Sequence, residues 1–184
     1  MRSSVRFAGM GGQGIIFSGI LLARAISLYD YREGRPLNAI QTQSYGPAAR
    51  GESSKCDVVI SDEASFYPFV GRPDFLVVLS QPAYHRYIGD TATSTIVILE
   101  EDAIEDRPDL TYYEVPALRK ASELGGKGAA NMVMLGALVA ISNLVDKEAI
   151  SKAIQETSPV GAQEVNEKAY REGLLIGRAQ LYQE

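Results

Sequence analysis

The chain has 184 residues, enough for one domain with a real core, and a mildly acidic balance of 23 Asp and Glu against 18 Lys and Arg. Both signs of charge are scattered, which argues against nucleic acid as the main partner, because phosphate binding needs clustered Lys and Arg. One cysteine, Cys56, and one histidine, His85, exclude an iron–sulfur cluster, a structural zinc site or a disulfide framework held by this chain alone.

In chain order, Val5 to Ala8 reads as a short buried strand. Gly9-Met10-Gly11-Gly12-Gln13-Gly14 follows and opens into an apolar, helix-length segment from Ile15 to Tyr29. Ser18 and Gly19 are small enough there to let a helix lie close against a sheet. A polar turn at 31–36 leads to a second strand, Leu37 to Thr42. Gln41 to Gly51, with its Gly and Pro punctuation, reads as an exposed loop. Ser53 to Ser61 is a third strand with Cys56, Val58 and Ile60 on one face. Phe75 to Ser80 is a continuous apolar run, suited to a strand covered on both sides. A short helix at 82–87 and strands at 95–99 and 111–115 complete this part.

The second half is helical. Segments 117–124 and 129–145 flank a glycine-rich break, and the latter is apolar nearly all round, as a buried helix should be. An amphipathic helix at 147–156 precedes a long one at 163–182, whose apolar stripe runs through Tyr170, Leu174, Gly177 and Leu181. There is no internal repeat or linker, so residues 1–184 are expected to form a single domain. Strands alternating with helices imply an α/β fold with a mostly parallel sheet flanked by helices. Ligands of such sheets bind at the carboxyl ends of the strands. That edge is expected to carry the glycine loop, the 41–51 loop and the turn after Ser80. No signal-peptide core or bilayer-length apolar run is visible, so a reducing, cytoplasmic setting is expected.

Gly9-x-Gly11-x-x-Gly14 has the spacing of a dinucleotide fingerprint between a strand and a helix. The acid that would hold a ribose is missing. It belongs at the end of the second strand, where Gln41 to Gln43 stand. The loop therefore reads as a site for a phosphate or other polar ligand different from NAD, as a place of close approach by a partner chain, or as a tight packing turn. The Gln13 amide reads equally well as a ligand contact or as solvated surface. Gln41, Gln43, Ser44, Tyr45 and Arg50 could face one ligand, with the Arg50 guanidinium suited to phosphate or carboxylate. Asn131 reads as a ligand contact or a helix cap. Cys56 is expected in the core, His85 has no obvious acid beside it, and Glu100-Glu101-Asp102 reads as a solvated turn. No residue is assigned as catalytic or as a metal ligand.

Three motifs in order carry a resemblance: Gly9 to Gly14, then Gln43-Ser-Tyr-Gly-Pro-Ala-Ala-Arg-Gly51, then Asn131-Met-Val-Met-Leu-Gly-Ala-Leu138. Together they resemble the gamma subunits of 2-oxoacid:ferredoxin oxidoreductases, and the middle motif is similar to the 2-oxoglutarate branch. Glu52 departs from a glycine often found after the Arg-Gly pair. The resemblance implies a Rossmann-like fold and one subunit of an enzyme that converts a 2-oxoacid and coenzyme A to an acyl-CoA and carbon dioxide. It implies alpha and beta partners holding thiamine diphosphate and magnesium, iron–sulfur clusters in partners such as a ferredoxin-like delta subunit, and ferredoxin as acceptor. It also implies coenzyme A at this chain, with Gly9, Gly11, Gly12, Gln13, Gly14, Gln43, Ser44, Tyr45, Gly46, Arg50, Gly51 and Asn131 as candidate contacts. No membrane or nucleic-acid partner is expected. A non-catalytic assembly subunit and an unrelated nucleotide-binding protein are the alternatives.

Overall fold

The computed structural model describes residues 1–32, 34, 37–44, 53–64 and 67–182. Strand β1 (Arg2–Met10) is followed by α1 (Ile15–Arg24), which runs on into a wider π-helical turn, Ala25–Tyr29. Next come β2 (Asn38–Ser44), β3 (Ser53–Ser61), β4 (Phe75–Val78), α2 (Gln81–Tyr87), β5 (Ile96–Glu100) and β6 (Tyr112–Val115). The helices α3 (Ala117–Glu123), α4 (Ala130–Ser142), α5 (Lys147–Thr157) and α6 (Gln163–Leu181) close the chain.

The six strands form one sheet in the order β2-β3-β1-β4-β5-β6. Strands β1, β4, β5 and β6 are mutually parallel. Strand β3 lies antiparallel between β1 and β2. This departs from a sheet alternating with helices throughout its first half. Residues 45–52, between β2 and β3, are too few for a parallel crossover, which needs about a dozen residues or more, so an antiparallel return is the open route. Strand β2 also extends through Ser44, so Gln41 to Ser44 are strand and not loop. Each of these residues pairs with β3, from Gln41 opposite Val58 to Ser44 opposite Lys55.

One face of the sheet carries the larger core, in which Val5, Phe7, Cys56, Val58 and Ile60 meet α1, α4 and α5. The other face packs Ala8, Leu76, Val78, Val97 and Leu99 against α2. Gly19 lets α1 approach β3, since a Cβ there would overlap the Cys56 Sγ. Helices α4 and α6 run side by side in the same direction. Gly136 and Gly173 bring their backbones into contact, with no room for a Cβ at either position.

Arg6 breaks the apolar pattern of β1. The alternation suggests an outward polar residue, yet it is 1% exposed. Its guanidinium donates to Asp57 Oδ1 at 2.7 Å and Oδ2 at 3.0 Å, to Asp90 Oδ2 at 3.0 Å and to the Val70 carbonyl at 2.7 Å. A buried charge is tolerable only when paired and hydrogen-bonded in this way. The cluster locks β1, β3, the 67–70 segment and the end of α2 together.

Candidate functional site

The connections leaving β1 and β4 place α1 and α2 on opposite faces of the sheet. A crevice opens between the carboxyl ends of two such strands, where open α/β sheets bind ligands. The glycine loop and the turn at Leu79–Ser80 stand on its two sides.

Gly12 and Gly14 have φ of 88° and 72°, which only glycine adopts readily. A Cβ on Gly9 would lie 2.6 Å from Ile15 Cδ1, and one on Gly14 would lie 2.7 Å from Asn131 Cγ. Gly11 differs, because a Cβ there would meet nothing within 4 Å. Packing therefore demands Gly9 and Gly14, positive φ demands Gly12 and Gly14, and neither demands Gly11.

Three of the loop's carbonyls are occupied. Met10 O accepts from the Gln13 N–H at 3.2 Å, and Gly9 O accepts from Ser54 Oγ at 3.3 Å. Gly14 O accepts from the Ser18 N–H at 3.0 Å and from Asn131 Nδ2 at 3.1 Å. Among the described residues, the N–H groups of Gly11, Gly12 and Gly14 have no acceptor. Unpaired amides at the N-terminus of α1, beside carbonyls that are already bonded, are the arrangement that favours an anion. Two clefts flank the loop. One of about 470 Å³ is bordered by Gly11, Gly12, Ile16, Phe17 and Ile20. The other, of about 350 Å³, is bordered by Gly12, Gly14, Asn131, Pro159 and Val165.

The Gln13 side chain is neither free surface nor an idle amide. Its Oε1 accepts from the Met10 N–H at 2.7 Å, and its Nε2 donates to Leu79 O at 3.2 Å across the crevice. Asn131 is 4% exposed and holds the loop through Gly14 O, while Ala129 is the residue that caps α4. Both amides brace the loop. Ser80, which the sequence reading passed over, stands at the carboxyl end of β4 with a buried hydroxyl that has no partner among the described residues. Nothing in its sequence context marks it.

The candidates of the middle motif lie apart from the loop. Strand β2 is two strands from β1, about 10 Å away at ordinary sheet spacing. Gln41 Nε2 donates to Cys56 Sγ and to Gln43 Oε1, each at 3.2 Å, so these amides serve each other and the sheet. Ser44 ends β2, and its side chain lies outside the described residues. Tyr45, Gly46, Arg50 and Gly51 also lie outside them.

The ionisable groups elsewhere have structural explanations. His85 Nε2 lies 2.7 Å from Asp106 Oδ2, an acid that is distant in sequence, and the pair is exposed beside Gln81. The His85 and Gln81 contacts hold the Asp106 carboxyl below its usual range. Glu100 is not part of a solvated turn. It is fully buried, accepts from the N–H groups of Ala103 at 2.6 Å and Leu118 at 3.1 Å, and burial raises its pKa. Glu101 and Asp102 pair with Arg119 at the surface. Cys56 is a core thiol, and burial pushes its pKa up to about 11. At pH 8 its thiolate fraction is then on the order of one in a thousand, too small for a nucleophile. Iodoacetamide at pH 8 is expected to leave the folded chain unmodified by mass spectrometry and to alkylate it in 8 M urea at the ordinary thiol rate (urea at about that strength unfolds most domains). Rapid labelling without denaturant would contradict the buried assignment.

The model of the family described as "Pyruvate ferredoxin/flavodoxin oxidoreductase" matches residues 4–176. The chain belongs to this family. It is 45% identical to the 2-oxoglutarate synthase subunit KorC of Methanocaldococcus jannaschii, over 97% of this chain and 95% of that one. A solved keto/oxoacid ferredoxin oxidoreductase gamma subunit from Geobacter sulfurreducens PCA superposes with a TM-score of 0.83 at 35% identity, covering 98% of both chains. The same fold occurs within a 2-oxoglutarate:ferredoxin oxidoreductase from Magnetococcus marinus solved with 2-oxoglutarate, coenzyme A and succinyl-CoA bound. There the TM-score is 0.83 at 21% identity, over 97% of this chain and 31% of that one. The family is one of oxidoreductases, and the near full-length matches make this chain a subunit of the gamma type. Among the described residues, no helix is long and apolar enough to cross a membrane.

Proposed function

We propose that this chain is the subunit of a 2-oxoglutarate:ferredoxin oxidoreductase that positions coenzyme A against thiamine-bearing partners. The loop at Gly9–Gly14 carries the reading, because the glycines with unpaired N–H groups line open clefts while the carbonyls of Gly9, Met10 and Gly14 are bonded. The Gly11, Gly12 and Gly14 amides would hold a phosphate of coenzyme A, with Gln13 and Asn131 keeping the loop in shape. Thiamine diphosphate, magnesium and iron–sulfur clusters belong to partner subunits in this reading. They supply the decarboxylation and carry the electrons away to ferredoxin. This chain contributes orientation: it presents a thiol at the right place, which lowers the entropic part of the barrier without making bonds itself.

The position of β3 supports coenzyme A over NAD. The strand beside β1 is antiparallel, so its amino end, Ser53–Ser54, stands where the carboxyl end of a second parallel strand would offer an acid to a ribose. Calorimetry of the chain and of the reconstituted complex with coenzyme A, NAD and NADP is the test. Heat is expected with coenzyme A alone. Heat with NAD and none with coenzyme A in either preparation would overturn the reading.

A second reading rests on a different observation. Ile16, Phe17 and Ile20 leave an apolar wall beside the loop, and Val160 is 99% exposed next to Pro159 and Ala162 of the second cleft. Such a surface suits close packing by a catalytic subunit, with no small molecule on the loop. Association that survives while the complex ignores coenzyme A at this chain would favour it.

A further inference from the structure

On the sheet face away from α1, the β2–β3 strands are crossed by the segment Tyr67–Val70. It closes a cleft of about 400 Å³ whose floor includes Thr42, Lys55 and Asp57. Thr42 and Asp57 are directly paired across the strands. Lys55 Nζ lies 3.1 Å from Asp57 Oδ2. The wall is made by Tyr67 and Phe69, whose ring centroids are 6.2 Å apart and tilted by 38°. They are 72% and 64% exposed.

Single exposed aromatic residues are ordinary. Two that are adjacent and rigidly mounted are not. Arg2 Nη2 donates to the carbonyls of both Tyr67 and Phe69, at 3.0 and 3.1 Å. Buried Arg6 holds the next carbonyl, that of Val70, at 2.7 Å. Two guanidiniums thus fix the backbone from behind and leave both rings facing out. The core gains nothing from these rings, which remain in water. What the arrangement provides is a pre-ordered apolar platform above a floor with the Lys55 ammonium and the Thr42 hydroxyl, the Asp57 carboxylate beneath them being already engaged by Arg6 and Lys55. A planar ring edged with donors and acceptors satisfies both parts at once, and stacking on fixed rings loses little side-chain entropy. The volume lies within the usual range for small-molecule sites, about 300–1,000 Å³.

We infer that the Tyr67–Phe69 cleft is a stacking site for the base of a nucleoside. It is separate from the glycine loop. It sits on the other face of the sheet from α1, and none of the loop's residues lines it. The inference therefore stands whether or not the loop holds coenzyme A.

The test uses the full chain, with NMR titrations of adenosine, AMP and inorganic phosphate. Adenosine is the deciding probe, because it has the base and no phosphate. It is expected to shift resonances of the 42–43, 55–57 and 67–70 segments. Tyr67→Ala with Phe69→Ala should weaken adenosine by about tenfold or more, within what base–aromatic stacking contributes. Those side chains are exposed and their carbonyls stay bonded, so the double variant should melt like the wild type. Tyr67→Phe should retain binding, and Gly11→Val should leave adenosine unaffected. The inference fails if adenosine does not titrate, or if the double variant binds it as well as the wild type. It also fails if inorganic phosphate alone reproduces the AMP shifts in the cleft. A double variant that loses association with partner subunits but keeps adenosine binding would make the platform a protein contact and overturn it too.

Discussion

Gly11→Val should leave the chain folded and raise the coenzyme A concentration needed to saturate the assembled oxidoreductase by about tenfold, the worth of one hydrogen bond from a phosphate to the loop. The sequence alone suggests that a side chain at Gly11 would also spoil the turn. The structure removes that second effect, because a Cβ at this position meets nothing within 4 Å and Gly11 is not among the glycines with positive φ. The isopropyl group would instead project from the exposed part of the loop and hold a ligand away from the free N–H groups. The measurement pairs a thermal melt with steady-state kinetics at varied coenzyme A. An unchanged melt with a raised KM places the loop at the ligand. An unchanged melt with unchanged kinetics would show that the loop touches no coenzyme A. Gly12→Val is the contrasting variant. At φ 88° a branched residue is strained by about 1–2 kcal/mol, so a lowered melting temperature is expected there.

Gly173→Ala should destabilise the chain by about 2 kcal/mol, although it replaces glycine in the middle of a helix. In an exposed helix the same change stabilises by about 1 kcal/mol. Here the new methyl would lie 2.8 Å from the Val133 carbonyl carbon and 3.0 Å from Gly136 Cα, so α4 and α6 would have to move apart. Overpacking of this kind costs about 3 kcal/mol at the upper end of its usual range, which outweighs the propensity gain. For a chain of this size the melting temperature should fall by roughly 4–8 °C. Leu175→Ala, on the exposed side of the same helix, is the control and should change stability by less than about 0.5 kcal/mol. Equal midpoints for Gly173→Ala and wild type in urea unfolding would mean that the two helices do not meet as closely as described. The pair also matters for function, because α4 carries Asn131 to the glycine loop. A shift of α4 should loosen that loop.

Much of this molecule is legible in its residues. The elements follow from hydrophobic period: the apolar run at 75–78, the all-round apolar helix at 130–142 and the stripe on α6 all lie where their patterns put them. Gly19 beside Cys56 and the core position of that thiol follow from residue size and alternation. The family is carried by three motifs whose order no single turn or packing constraint would produce.

Other features depend on pairing between distant segments, which one-dimensional patterns do not encode. The antiparallel β3 is implied by the short stretch 45–52, which is too short for a parallel crossover of about a dozen residues, but the alternation of the other strands masks that cue. The burial of Arg6 is not legible in sequence because its partners, Asp57 and Asp90, come from other elements. Gln13 looked free because Leu79 lies 66 residues away. By itself the sequence determined the class of fold, the place of the glycine loop and the family, because these rest on local period, local turn chemistry and motif order. Only the tertiary structure decided which loop glycines packing or positive φ requires and that Gly11 is free of both, that Gln13 and Asn131 brace the loop, and that two exposed rings stand over a polar cleft. Each of those depends on which backbone and side-chain atoms arrive at the same place, and that is settled only when the sheet closes.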